Sequence, residues 1–88
     1  MKVVISPRAE KQLKKTSKLD QIAIAQKIRS LTPSQFVPYE EKLKGYTNIF
    51  RVRLGDYRIV YRKKQNELYI VIISHRKDVY NLLNKLLN

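Results

Sequence analysis

The chain contains no cysteine, which excludes disulfides and thiolate metal sites and leaves its stability to packing. Its one histidine, His75, is too few for a histidine-built metal centre. No apolar run approaches the roughly 18 residues of a membrane span, and no signal peptide is read at the start, so the protein is expected to be cytoplasmic. Acidic residues are scarce: 7 Asp and Glu stand against 19 Lys and Arg, a formal charge of +12. Such an excess repels itself, and an anionic partner relieves it: nucleic acid, an acidic protein or an anionic membrane surface. With 88 residues, one core is affordable and two are not, so residues 1–88 are expected to form a single domain.

What is present reads as strand, two helices, three strands and a helix. Lys2 to Ile5 is β-prone and ends at Ser6-Pro7, a capping residue followed by a proline suited to a first helical turn. The first helix carries Ala9 and Leu13 on one face, with Lys11, Lys14 and Lys15 on others, and stops near Thr16 to Lys18. The spacing of Ile22, Ala25, Ile28 and Leu31 predicts a second helix over Leu19 to Leu31, ended by Thr32-Pro33. Thr32 to Asn48 shows no sustained period and predicts a long surface connection. Phe50, Val52 and Leu54 then alternate with Arg51 and Arg53 up to Gly55-Asp56, a two-residue hairpin signal. Strands are predicted over Tyr57 to Lys63 and Leu68 to Ser74, joined by a turn at Gln65-Asn66. Val79, Leu82, Leu83, Leu86 and Leu87 close the chain with an amphipathic helical stripe. Its polar side offers only Lys85 and asparagines, so packing on the sheet explains it better than membrane binding does.

A two-residue turn at Gly55-Asp56 pairs Leu54 with Tyr57, Arg53 with Arg58 and Val52 with Ile59. One face then carries Phe50, Val52, Leu54, Tyr57, Ile59 and Tyr61, and the other carries Arg51, Arg53, Arg58, Val60 and Arg62. Any basic sheet exposes arginine on its wet face, but here four share one surface, with no carboxylate alternating among them. Opposed like charges cost about 0.2–1 kcal/mol, which a phosphate would offset. Guanidinium groups stay charged and grip phosphate through paired N–H donors. Continuing the register through Gln65-Asn66 sets Ser74 beside Tyr57 and brings the His75-Arg76 segment to the Gly55-Asp56 end of the arginines. Tyr80, on the first turn of the last helix, suits base stacking or a phosphate contact, and equally a core position. His75 suits a general base by its titration range, and equally a structural hydrogen-bonding role. Glu40 and Glu41 are adjacent, Asp56 lies in a turn and Asp78 starts a helix, an arrangement that suggests neither a carboxylate pair nor a metal site.

The stretch EEKLKGYTNIFRVRLGDYRIVYRKKQNELYIVIISHRKDVY resembles the RelE/ParE toxin superfamily. Its members share a leucine-glycine entry, a basic strand, a G-D-Y-R-[IV]-x-Y hairpin and a terminal H-R-x-[DE]-[VI]-Y. The likeness is close over Glu40 to Tyr80, and the preceding strand and helical hairpin follow the family order. It implies an α+β RelE-like fold: an antiparallel sheet, made of the N-terminal strand and a three-stranded meander, packed on the helical hairpin, with a C-terminal helix. It also implies a toxin of a type II toxin–antitoxin pair, held by a cognate acidic antitoxin.

RelE-like members cleave messenger RNA on the ribosome, whereas ParE-like members poison DNA gyrase. The basic face favours the first. On that branch the resemblance implies catalytic roles for Arg51, Arg53, Arg58, Arg76 and Tyr80, and RNA contacts from Lys42, Lys44, Arg62 and His75. It implies no metal or other cofactor, because the RNA 2′-hydroxyl attacks the adjacent phosphodiester. Arg51 and Arg53 stand where the family often has lysine, and the segment from Ser74 to Tyr80 is shorter than usual. The proton acceptor is therefore open among Lys42, Lys44, His75 and a ribosomal group. A non-catalytic RNA-binding module is the remaining alternative.

Overall fold

The computed structural model describes residues 2–31 and 37–75. A first strand, β1 (Lys2–Ile5), leads into helices α1 (Pro7–Lys14) and α2 (Lys18–Ser30). Four more strands follow: β2 (Glu41–Lys42), β3 (Ile49–Leu54), β4 (Tyr57–Lys64) and β5 (Glu67–His75). They form one five-stranded sheet in the order β1-β5-β4-β3-β2. The α+β class read from the sequence is borne out, with two differences. β1 joins β5 in parallel, so the sheet is mixed, and β2 adds a strand inside the predicted connection.

Ser6 makes the corner between β1 and α1. Its hydroxyl accepts from the Ala9 N–H at 3.0 Å and donates to the Val71 carbonyl at 2.8 Å, while its own N–H donates to the Ile70 carbonyl. One side chain thus caps a helix and ties it to β5. Gln12 adds a second tie, its Oε1 accepting from the Ile73 N–H at 3.0 Å. Ser17 caps α2 by accepting from the Asp20 N–H.

The helices cover one face of the sheet. Ala9, Ile24, Ile28 and Leu31 pack there with Val52, Ile59, Tyr61, Leu68, Ile70 and Ile73. Ile22, predicted to face the core, is instead 50% exposed, and Ile24 takes its place. Both sets fit a helical period and share Ile28 and Leu31, so spacing alone did not distinguish them. A second cluster of Leu43, Ile49, Val60, Val71 and Ile72 occupies the other side, with Tyr46 and Tyr69 against it.

The predicted connection is shorter than read. Residues 32–36 lie outside the described residues, but Val37 and Leu43 are buried and Leu43 N–H donates to the Ile49 carbonyl at 2.9 Å. Positive φ at Gly45 and Asn48 turns the chain from β2 back into β3. The predicted C-terminal helix, including Val79, Leu82, Leu83, Leu86 and Leu87, also lies outside the described residues.

Candidate nucleic-acid interface

The Gly55-Asp56 turn sets the register. Gly55 has φ +58 and Asp56 is not in that region, the pattern of a type II′ hairpin turn. Leu54 faces Tyr57, Arg53 faces Arg58, Val52 faces Ile59 and Arg51 faces Val60. Arg53 and Arg58 form the non-hydrogen-bonded pair beside the turn, a geometry in which Cα atoms approach to about 4.5 Å. Arg58 Nη1 donates to the carbonyls of Gly55 and Tyr57, each at 3.1 Å, which folds it back over the turn. Arg53 is exposed. Arg62, opposite Ile49, shares the face further along.

This face differs from the reading in two ways. It has an apolar floor, because Ile49, Val60 and Ile72 are buried on the arginine side. It also holds a carboxylate. Glu41 lies across from Arg51, and its Oε2 stands 2.6 Å from Arg51 Nη2. The Arg51 side chain is only 16% exposed and that of Glu41 is 64% exposed, so the acid is the accessible member. The expectation that no carboxylate offsets these arginines is therefore corrected. β2 is two residues long, too short to leave a periodic signal in the sequence.

Glu40 turns the other way. It accepts a hydrogen bond from the Tyr61 phenol, and its Oε1 lies 2.6 Å from Lys63 Nζ, which also sits 4.4 Å above the Phe50 ring. The side chains of Lys63 and Glu40 are 15% and 10% exposed. Burial, followed by the bond to Glu40 and its charge, pushes the Tyr61 phenol well above the ordinary tyrosine range. The ionic network anchors residue 40 and so fixes where residue 41 enters β2.

Three of the residues read as RNA contacts are not gathered with the arginines. Lys42 pairs with Phe50 and so belongs to the helix-side register, and Lys44 lies in the turn after β2. His75 pairs with Tyr57, also on the helix side, with its ring edge-on at 6.4 Å. A bulge causes this: Val60 faces Ile72 but Tyr61 faces Ile70, leaving Val71 as an extra residue in β5. The predicted Ser74–Tyr57 pairing is thereby shifted, so that Ser74 faces Arg58. Arg76 and Tyr80 lie outside the described residues. Burial first, and then Asp20 and Asp56, raise the Tyr57 phenol above its ordinary value.

Arg53 and Arg58, on opposed positions at the turn end, can bracket phosphate oxygens, and the accessible Glu41 carboxylate on the same face can accept a proton. Among the described residues no group of three or more His, Cys, Asp or Glu gathers, and no helix is long and apolar enough to cross a membrane.

Residues 3–80 match the model of a family described as the ParE toxin of the type II toxin–antitoxin system parDE. A curated relative, Toxin RelE3 of Methanocaldococcus jannaschii, is 37% identical over 41 residues, which is 47% of this chain and 47% of that protein, about half of its length. The isolated E. coli RelE toxin superposes with a TM-score of 0.72 at 20% identity, covering 96% of this chain and 95% of that one. The archaeal RelE–RelB complex from Pyrococcus horikoshii OT3 gives a TM-score of 0.63 at 27% identity, covering 85% and 93%.

Proposed function

This chain belongs to the ParE toxin family of type II toxin–antitoxin systems, and from that premise we propose that it is an endoribonuclease that cuts messenger RNA on the ribosome. The observation that carries the reading is the arginine pair, Arg53 across from Arg58, sharing a face with Arg51 and its carboxylate partner Glu41. Two arginines at opposed positions on a hairpin suit a phosphodiester that gains charge in its transition state.

In the proposed reaction the RNA 2′-hydroxyl oxygen bonds to the neighbouring phosphorus as the P–O5′ bond breaks. The products are a 2′,3′-cyclic phosphate and a 5′-hydroxyl. One proton leaves the 2′-hydroxyl and one is delivered to the departing O5′. Arg58 and Arg76 hold the scissile phosphate and its transition state, Arg53 and Arg62 hold neighbouring phosphates, and Tyr80 stacks on or orients the nucleotide. Glu41 is the proton acceptor, oriented by Arg51. It shares the face of the arginines, which Lys42 and His75 do not. The ribosome completes the alignment of the strand.

The inhibiting partner is a cognate acidic antitoxin. The +12 charge supports this, as does the solution of an archaeal relative in complex with RelB. Gyrase poisoning is the second reading, favoured by the name of the matching family. Induction of the chain in bacteria, with message ends mapped by primer extension, decides between them. Translation-dependent cuts inside codons that vanish in an Arg58→Ala, Arg76→Ala double variant are the expected result. Growth arrest with intact messages and broken DNA would overturn it in favour of the gyrase poison.

A further inference from the structure

Tyr39 is the most exposed large hydrophobic side chain among the described residues, at 91% of its surface, and its backbone sits at φ +62. Pro38 precedes it, and the Glu40 N–H donates to the Val37 carbonyl at 3.1 Å, which makes Val37 to Glu40 a type II turn with tyrosine where glycine or asparagine belongs. Both ends of that turn are fixed. Val37 is buried, and Glu40 is held by Tyr61 and Lys63. An aromatic ring is thus held out into solvent on a strained position that is anchored on either side, and strain kept in this way clusters at active sites and ligand clamps.

The ring borders a groove of about 450 Å³ between α2 and β3, lined also by Lys27, Pro38, Glu41, Val52 and Arg53. That size lies within the usual range of small-molecule sites. β2 begins at Glu41 opposite Arg51, so among the described residues no strand pairs with β3 at Arg53 on that side. Alternation of the ladder turns the Arg53 backbone N–H and carbonyl toward that side. The groove therefore combines an exposed tyrosine at its border, two cations, the Glu41 carboxylate and main-chain polar groups, next to the arginine face.

We propose that Tyr39 is a stacking platform for one nucleobase of the bound RNA strand, seated in the groove between α2 and β3 while Lys27 and Arg53 take its phosphates. The proposal rests on the RNA reading of the arginine face and assigns it a base-binding subsite. Stacking tolerates any base, whereas the Arg53 main chain gives the groove hydrogen-bonding partners for a base edge.

The test is fluorescence anisotropy of the full chain with a short labelled single-stranded RNA and with an abasic ribose–phosphate strand of the same length. Tyr39→Ala is expected to weaken binding of the RNA about ten- to a hundredfold, the value of one base stack, and to leave the abasic strand unaffected. Tyr39→Phe and Tyr39→Trp should bind RNA as the parent does. Tyr39→Gly, relieved of the positive φ, should melt no lower than the parent while binding RNA as weakly as Tyr39→Ala. Unchanged RNA affinity in Tyr39→Ala, with affinity lost in Arg58→Ala, overturns the platform and leaves the RNA reading standing. The platform also falls if Tyr39→Ala weakens only the grip of an acidic protein partner. Failure of the parent chain to bind the RNA overturns both.

Discussion

Glu41 and Arg51 face each other across β2 and β3 with 2.6 Å between carboxylate and guanidinium, at the point where the arginine face opens to solvent. The pair couples an accessible acid to a largely buried base. Pairing of this kind at a surface contributes only about 0–1 kcal/mol, so its worth is positional. Glu41→Gln should keep the thermal midpoint within a few degrees of the parent and lower the RNA cleavage rate roughly 10²–10⁴-fold, the usual contribution of a general base. A cleavage rate within a factor of about three of the parent would return the role of proton acceptor to Lys44 or a ribosomal group.

Arg53 and Arg58 oppose each other across the β3–β4 hairpin, a pairing of like charges that costs the free protein stability. Arg53→Glu should stabilise the free chain by roughly 0.2–1 kcal/mol through pairing with Arg58, and abolish RNA binding. Arg53→Ala should reduce the slope of log affinity against log salt by about 0.7, one phosphate contact on a single strand. Urea unfolding and a salt titration read the two effects separately.

The Glu40 network is a stability element. Tyr61→Phe removes a phenol that donates to a carboxylate and should cost about 1.5–3 kcal/mol in urea unfolding. Glu40→Ala, which leaves Lys63 without its acid, should cost about 3 kcal/mol or somewhat less, because Lys63 keeps some exposure and its contact with Phe50. Equal losses in both variants would mean that the Lys63 pair adds nothing.

Alkaline pH should weaken the fold through the same group. The folded phenols of Tyr61 and Tyr57 titrate above the ordinary tyrosine value of about 10. Above that value the unfolded chain releases these protons and the folded chain retains them, so stability is fully present below about pH 10 and falls as pH rises. The parent should lose stability between about pH 10 and 12 more steeply than Tyr61→Phe does. Parallel curves for the two would remove Tyr61 from the account.

Ser6→Ala tests the corner of the fold. It deletes both the cap on α1 and the bond to the Val71 carbonyl at a buried position, and should cost about 2 kcal/mol. Ser6→Thr keeps the hydroxyl and should recover much of the loss if the added methyl fits.

The hairpin was legible because two independent signals agree on its register: a Gly55-Asp56 turn and a strict period of two on either side of it. That alone put four arginines on one surface. The bulge at Val71 was not legible, since it sits in the run Tyr69 to Ser74 with no glycine or proline to mark it, and it moved His75 to the helix side. Glu40 and Glu41 looked like two neighbouring charges. Their separation to opposite faces depends on a two-residue strand and on Tyr61 and Lys63, both distant in sequence. The face of α2 was ambiguous because isoleucine occurs at both Ile22 and Ile24.

The parallel union of β1 with β5 has a consequence in time. Lys2 must wait for Glu67, and Ser6 for Val71, a separation of 65 positions. The β3–β4 hairpin is local and can close within microseconds, but β1 gains its ladder only once β5 exists. During synthesis the residues of the arginine hairpin therefore emerge before the strand that lets β1 join the sheet. A growing chain passes through a stage in which the basic hairpin is present and its N-terminal strand still has no ladder to join.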